Sequence, residues 1–176
     1  MQTQRLQILP PSMVIQPLMY EALLESENEL REFCPWVDSV LKLEDSVANT
    51  QQAIRNYENF EGELRYSLIN KDSGQFVGVI GLIIRDPDVP FFEIGYWLRS
   101  ACVGFGYMSE AVQALEQYAF KTLDARRIEI TAAEENLKSR AVAQRCNYQL
   151  EATLHNARRL PSGQLANTVV YAKTHL

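Results

Sequence analysis

The sequence predicts a mixed α/β fold in which helices flank a mostly antiparallel central sheet of about seven strands, with residues 1–176 forming a single domain. Two patterns support this fold class. Three successive strand patterns between Glu63 and Leu98, separated by turn residues, predict an antiparallel meander. The order strand, glycine loop, helix and strand that follows predicts a parallel pair joined by a right-handed crossover. With 176 residues, 47% of them hydrophobic, the chain can bury a core around this sheet.

The first part of the chain predicts one short strand and then helices. Residues 4–9 form a candidate strand that Pro10 ends, and residues 13–29 carry apolar side chains at helical spacing. An aromatic loop around Trp36 interrupts the helical region. A polar-faced helix is then predicted from Asp45 or Ser46 onward. The buried stripe of this helix is expected to consist of Val47, Ile54 and Tyr57.

Further strands and helices are predicted downstream. The strands lie at 63–70, 75–85, 92–98, 127–133, 148–155 and 164–173. The helices lie at 108–120 and at about 136–145. Turn residues separate these patterns, and a Pro-Ser-Gly turn joins the last two strands into a hairpin.

The loop before the helix at 108–120 is a candidate anion site. Gly104 and Gly106 allow the backbone a tight turn directly before this helix. The first N–H groups of a helix have no partner within it and carry roughly half a positive charge, so a phosphate or pyrophosphate can bind there. A dinucleotide fingerprint needs a third glycine where Ser109 stands, and the phosphate loop of nucleotide hydrolases needs Gly-Lys-Ser/Thr. Both of these nucleotide sites are therefore disfavoured.

Composition and charge exclude several classes of function. A formal net charge of -5 without a basic block argues against direct nucleic-acid binding. No stretch approaches the roughly 20 apolar residues of a membrane span, and the first residues lack an apolar signal core, which predicts a cytoplasmic protein without membrane contact. Three spaced cysteines and two histidines form no metal-binding pattern, so no metal is expected. Cys102 lies next to the glycine loop, where a thiolate could be stabilised.

Four sequence blocks in this order resemble the GCN5-related N-acetyltransferases (GNAT), and within them the branch typified by the bacterial ribosomal-protein N-terminal acetyltransferases. The blocks are Glu93-Ile94-Gly95-Tyr96-Trp97-Leu98, Gly104-x-Gly106-Tyr107-Met108-x-Glu110-Ala111, Glu135-Asn136-x-x-Ser139-x-x-Val142-Ala143 and Asn147-Tyr148-x-Leu150-Glu151. They cover about half of the chain. The resemblance implies a GNAT-type fold with a strand-loop-helix site for acetyl-CoA as the acetyl donor.

The resemblance also implies which residues bind acetyl-CoA. The loop amides of Val103, Gly104, Phe105, Gly106, Tyr107 and Met108 would hold its pyrophosphate. The backbone of Tyr96, Trp97 and Leu98 would hydrogen-bond the pantetheine arm like an added strand. Asn136 and Ser139 would contact the cofactor from the next helix start, although a helix cap also explains the asparagine. Ala101 departs from the family, which usually has Gln or Arg there, so binding is expected to depend on backbone amides unless Arg99 takes over that role.

A neutral amine can attack a thioester directly, so the reaction needs positioning and the removal of one proton. Glu93 is the candidate base, directly or through water, and an ordinary ion-paired glutamate is the alternative interpretation. Ser139 either protonates the leaving thiolate or hydrogen-bonds the cofactor. Tyr148 is interpreted as a packed aromatic. A peptide α-amine, with a pKa near 7.7–8.0, is roughly a quarter neutral at cytoplasmic pH, whereas a lysine amine is about 0.1% neutral, so an α-amine needs less help from a base.

The acceptor remains open at the sequence level. Its pocket is expected from the early helices and the last hairpin, including Trp36, Tyr57, Arg158 and Arg159. An N-terminal α-amine of a protein such as a ribosomal protein is favoured. A small-molecule amine (antibiotic, polyamine or amino-acid derivative) and a non-catalytic acyl-CoA-binding module are the alternatives, and the protein is expected to be a monomer or homodimer.

Overall fold

The computed structural model describes residues 1–176 and is centred on one seven-stranded sheet with the strand order β1-β2-β3-β4-β5-β7-β6. The strands are β1 (Leu6–Leu9), β2 (Glu63–Asn70), β3 (Phe76–Asp86), β4 (Phe91–Leu98), β5 (Arg127–Ala133), β6 (Gln149–Arg159) and β7 (Leu165–Lys173). All neighbouring strands are antiparallel except β4 and β5. The predicted fold class is confirmed, including its meander and its one parallel pair.

Five α-helices flank the sheet. They are α1 (Gln16–Glu25), α2 (Glu27–Arg31), α3 (Leu43–Asn59), α4 (Tyr107–Thr122) and α5 (Leu137–Arg145). The helix predicted over 13–29 is divided between α1 and α2 at Ser26, which is fully buried. The hydroxyl of Ser26 accepts a hydrogen bond of 2.9 Å from the amide of Ser100, so this break connects the helical region to the end of β4. None of the helices is long and apolar enough to cross a membrane.

The two faces of the sheet are packed differently. The main core cluster lies under α4, and alternation along β2 directs Leu64 and Tyr66 into it. We call this side the α4 face. A smaller cluster packs α1 against β3 on the opposite side, which we call the α1 face. Alternate residues of β2, β3 and β4, including Glu63 and Glu93, therefore lie on the α1 face.

The buried stripe of α3 differs from the prediction by about one residue. Ser46, Thr50 and Ala53 are buried, whereas Val47 and Ile54 are only half-buried. The two polar side chains tolerate burial because both are hydrogen-bonded: Ser46 accepts a bond of 3.1 Å from Gln16, and Thr50 donates one of 3.0 Å to a helix carbonyl. A hydrophobic pattern alone does not reveal this polar contact.

The parallel pair β4 and β5 separates soon after it begins. The two strands are in register only over three pairs, which run from Phe91 opposite Arg127 to Glu93 opposite Glu129. Beyond Glu93, β4 pairs only with β3, while β5 continues to pair with β7. A gap therefore opens between β4 and β5 on the side where β4 leads into the glycine loop.

Candidate active site

Six consecutive backbone N–H groups, from Gly104 to Ser109, make no hydrogen bond within the chain. Gly104 and Gly106 have positive φ angles of 92° and 79°, which glycine adopts without strain. Gly106 is also the N-cap of α4, a 16-residue helix, so the open amides continue into its first turn. An amide row at the positive end of a helix dipole binds anions such as a pyrophosphate.

Val103 differs from the rest of the predicted loop, because its N–H donates a 3.2 Å hydrogen bond to the carbonyl of Ser100. The open row therefore begins at Gly104. Within it, the side chain of Phe105 is 61% exposed, and the hydroxyl of Tyr107 accepts a bond of 3.0 Å from Asn70. The row includes Met108, whose side chain is buried in the main core.

Arg5 braces the loop from the start of the chain, a role that the sequence pattern did not indicate. Its guanidinium donates hydrogen bonds of 2.9 Å to the carbonyl of Phe105 and 2.7 Å to the carboxylate of Glu110. The guanidinium carbon lies 4.6 Å from the ring centre of Tyr107. Burial acts to raise the pKa of Glu110, but hydrogen bonds from Thr3 and Arg5 outweigh it and hold that pKa below its usual value. The ion pair between Arg5 and Glu110 therefore holds the loop in place.

The backbone of β4 presents an unpaired edge to the gap. The N–H of Arg99 donates 2.9 Å to the carbonyl of Val77, which fixes the alternation of the antiparallel ladder. By this alternation Trp97 directs its backbone groups to β3, while Tyr96 and Leu98 direct theirs to the gap. The predicted pantetheine edge is therefore available at Tyr96 and Leu98 but not at Trp97, whose ring instead lies 5.9 Å from that of Phe76.

Two predicted site residues meet beside the gap. The hydroxyl of Tyr96 lies 3.0 Å from Oγ of Ser139 and donates 3.1 Å to the carbonyl of the same residue. Asn136 caps α5 by accepting 3.1 Å from the amide of Ser139, so the predicted cap is present. Burial raises the pKa of Tyr96 well above its usual range, so its hydroxyl stays protonated and available as a donor.

Glu93 lies at the last residue pair before the gap, on the α1 face, with both carboxylate oxygens engaged. Oε2 accepts 2.8 Å from Nε of Arg85, and Oε1 accepts 2.8 Å from the hydroxyl of Thr131. The ion-paired alternative for this glutamate is therefore present in the structure. That Glu93 is the base stays a prediction. In that role its carboxylate would have to hydrogen-bond water in addition to Arg85 and Thr131.

The residues expected around the acceptor are divided between the faces. Trp36 lies near Trp97 on the α1 face, with ring centres 6.3 Å apart. Tyr57 instead packs edge-on against Tyr66 with the main core cluster, so its assignment to the acceptor pocket is corrected. Arg159 bonds the carbonyl of Gly163 within its own hairpin.

Arg158 is the hairpin residue that reaches the α1 face. Its Nε donates 3.0 Å to Thr168, and it has no carboxylate partner within ion-pair distance. Burial lowers the pKa of Arg158, and the nearby Glu93 acts in the opposite direction. Glu63 lies on the same face and is a second charged group without an ion-pair partner. Its position could be predicted from the alternation of β2, but its lack of a partner could not.

No cation replaces Ala101 from within the loop. Arg99 is directed away, with Nε 2.6 Å from Glu25 and Nη2 2.9 Å from Glu21 on α1. Arg145, at the end of α5, instead donates 3.1 Å to the hydroxyl of Ser109 in the first turn of α4. It has no carboxylate partner, which makes it an unpaired cation beside the open amides.

Burial determines the state of the remaining candidate groups. It raises the pKa of Cys102, which is 3% exposed, so the glycine loop does not stabilise a thiolate there. Tyr148 is buried with its hydroxyl unpartnered, in agreement with a packing role. No group of three or more His, Cys, Asp or Glu side chains is arranged to hold a metal ion.

A splayed parallel strand pair next to a row of open helix-start amides defines the class of acyl-CoA-dependent acetyltransferases that the resemblance implied. The acetyltransferase (GNAT) domain family matches residues 5–149. The chain therefore belongs to the GNAT acetyltransferase family, and it is an N-acetyltransferase that uses acetyl-CoA as its acetyl donor.

Two curated relatives place the chain within this family. It is 29% identical to the ribosomal-protein-serine acetyltransferase of Escherichia coli (strain K12) over 143 residues, which cover 81% of this chain and 78% of that protein. It is 34% identical to the uncharacterized N-acetyltransferase p20 of Bacillus licheniformis over 99 residues. That second alignment covers 56% of each chain, little more than half of the relative.

Solved structures confirm the predicted fold. RimL, a ribosomal L7/L12 alpha-N-protein acetyltransferase in complex with coenzyme A, matches with a TM-score of 0.92 at 24% identity, covering 98% of this chain and 96% of that chain. The microcin C7 self-immunity acetyltransferase MccE, in complex with acetyl-CoA and AMP, matches with a TM-score of 0.88 at 25% identity, covering 97% and 93%.

Proposed function

We propose that this enzyme acetylates the N-terminal α-amine of a protein, and that the acceptor is a ribosomal protein. The observation that carries the proposal is the open acceptor side of the site. β6, the edge strand on the far side of the gap from β4, buries none of its 11 residues, so the hairpin edge of the sheet lies open to solvent. Small-molecule sites usually enclose most of their ligand, whereas a peptide end can reach an open face. The ribosomal-protein-serine acetyltransferase of Escherichia coli is a relative over most of the chain.

Acetyl-CoA would be held mainly by backbone groups. We assign the pyrophosphate of acetyl-CoA to the amides from Gly104 to Met108, and its pantetheine arm to the β4 edge at Tyr96 and Leu98. Ser139 and the free amide nitrogen of Asn136 contact the cofactor from α5. The loop amides and the backbone groups of Tyr96 and Leu98 fit acetyl-CoA because they are unpaired and face the loop or the gap. We propose that residues 1–176 form the single domain that contains this site.

In the proposed reaction the amine nitrogen attacks the acetyl carbonyl, the carbon–sulfur bond breaks, and coenzyme A leaves as its thiol. Ser139 hydrogen-bonds the cofactor beside Tyr96, whose hydroxyl holds the serine in place. The role of Glu93 as base would be tested by Glu93→Gln. A loss that is larger at low pH than at high pH supports a base, because a neutral amine no longer needs one, and a uniform loss supports a positioning role.

A small-molecule amine is the second candidate acceptor. The structural match with MccE, whose complex contains acetyl-CoA and AMP, favours it because the same fold there accompanies a small ligand. Arg158 on the α1 face has no carboxylate partner, so it would suit an anionic group on such an acceptor.

Acceptor profiling separates these functions. Thiol release from acetyl-CoA would be followed with peptides that begin with Ser, Ala or Met, with the same peptides blocked at the α-amine, and with polyamines and aminoglycosides. Release with free but not with blocked peptides is the expected result. Release only with small amines would overturn the protein acceptor, and acetyl-CoA binding without release on any amine would indicate a binding module.

Arg145→Gln is expected to weaken acetyl-CoA binding about 10-fold, which corresponds to roughly 1.4 kcal/mol. The reason is that Arg145 is the unpaired cation nearest the open amides, and its loss removes a charge-assisted contact with a phosphate. Titration calorimetry at two salt concentrations would measure this, with Arg55→Gln on the exposed side of α3 as the control. Equal affinities of Arg145→Gln and the unaltered protein at both salt concentrations would contradict the assignment.

A further inference from the structure

Glu63 directs a carboxylate across the α1 face towards the gap. It begins β2 and lies opposite Ile83 of β3. A Cβ atom placed on Gly81 would collide with Oε1 of Glu63, so the carboxylate occupies the space that a side chain at Gly81 would fill. Glycine at this position is therefore what allows the carboxylate to lie over β3.

A second glycine, Gly95 of β4, lies opposite Gly81. Gly81 is directly paired with Gly95, and a Cβ atom placed on Gly95 would meet only Cδ1 of Ile83, at 3.5 Å, so the β4 backbone here is lightly covered on the α1 face. Gly95 lies two residues beyond Glu93, the last residue of β4 that pairs with β5. Neighbouring strands are roughly 4.8 Å apart, which places the carboxylate about one strand spacing from the edge at which the gap opens. This distance fits an amine between the carboxylate and a thioester bound along β4.

The carboxylate of Glu63 has no partner within the chain. It makes no hydrogen bond and no ion pair, whereas Glu93 has both oxygens engaged. Other charged side chains on this face include Arg65 on β2, Arg85 on β3, Arg127 and Glu129 on β5, and Arg158 on β6. Arg127 is paired with Glu129, and Arg99 after β4 is paired with Glu21 and Glu25 of α1. Arg65 is held by Asn49 of α3 through bonds of 2.6 and 3.1 Å, and Arg85 is paired with Glu93.

Burial raises the pKa of Glu63, and Arg65 lowers it by a smaller amount. Because the pKa is raised on folding, the folded chain binds more protons than the unfolded chain above pH 4.5, so stability falls as pH rises through that window. A partly desolvated carboxylate that costs stability at neutral pH is expected where a ligand supplies the missing partner.

We propose that Glu63 is the catalytic carboxylate that holds the acceptor's ammonium group and takes its proton. This deepens the proposed function and rests on it. One ammonium proton passes to Glu63 and then to solvent, and the freed amine nitrogen bonds to the acetyl carbon. The carbon–sulfur bond breaks, and the thiolate takes the second proton that the nitrogen releases as the amide forms.

Glu63→Gln is expected to lower kcat/KM at pH 7 about 100-fold or more while the dissociation constant for acetyl-CoA stays within twofold. The loss should shrink by pH 9.5, where an α-amine is already mostly neutral. Glu93→Gln measured alongside distinguishes the two carboxylates, and Glu58→Gln on the exposed side of α3 is the control. Unchanged kinetics of Glu63→Gln, or a loss that is the same at both pH values, would overturn the proposal.

A stability measurement tests the carboxylate without turnover. Glu63→Gln should raise Tm at pH 7 by about 1–3 °C, and the gain should vanish near pH 4. Glu63→Asp keeps the charge but withdraws it by one methylene, so it should lower kcat without raising Tm. A lower Tm for Glu63→Gln at pH 7 would show a structural partner and overturn the proposal. If none of the tested amines gives thiol release, the proposed function and this role both fail. If the unaltered protein and Glu63→Gln turn over equally well, only the role of Glu63 fails.

Discussion

Gly106→Val is expected to raise the dissociation constant for acetyl-CoA about 100-fold, or roughly 2.7 kcal/mol, in a protein that still folds. Gly106 has a φ of 79° and is the N-cap residue of α4. A β-branched residue at this angle is strained by roughly 1–3 kcal/mol, so the backbone turns and the open amides no longer point to one anion. A Cβ here would lie 3.7 Å from Arg5, an ordinary contact, so the loss would not come from overpacking.

Gly163→Val is the matched control for this experiment. Gly163 also has a positive φ, 86°, and a Cβ there would meet nothing within 4 Å. Its valine variant should therefore carry a similar backbone cost in the turn between β6 and β7, without an effect on acetyl-CoA. Calorimetric titration of both variants, with circular dichroism to confirm folding, would measure the difference. Unchanged affinity in folded Gly106→Val would remove the loop from the donor site.

The fold could be predicted because its signals are local. Residues 63–70 alternate between apolar and polar side chains, and β2 has those bounds. The glycine loop stands directly before a helix pattern, so the open amides follow from neighbouring residues. The helix α3 was predicted less well, because buried Ser46 and Thr50 satisfy their hydroxyl groups through contacts that a hydrophobic pattern does not contain.

The side chains of the site were less predictable because their partners are distant in sequence. Arg5 and Glu110 are 105 positions apart and meet only after β1 and α4 have packed together. The bond between Arg145 and Ser109 likewise depends on how α5 lies against α4. Backbone groups could be assigned from strand order alone, whereas the free or paired state of a charged side chain depends on the complete fold.

Lys173→Met is expected to lower Tm by roughly 6–20 °C, because it leaves a buried carboxylate without its cation. Nζ of Lys173 donates 2.8 Å to Glu116 of α4 and 3.0 Å to the carbonyl of Cys146. The side chain of Lys173 is 14% exposed and that of Glu116 is 5% exposed. Oε2 of Glu116 and the hydroxyl of Tyr148 have no hydrogen-bond partner. Because Glu116 already lacks one hydrogen-bond partner, few other contacts could stabilise its buried carboxylate once Lys173 is removed.

Two further variants separate a stranded charge from lost packing. If the charge causes the loss, Glu116→Gln combined with Lys173→Met should recover most of the stability, since both charges are then removed. Lys121→Met, at an exposed position of α4, should change Tm little. A double variant that recovers no stability would indicate that Lys173 acts through the packing of its alkyl chain between α4 and the sheet.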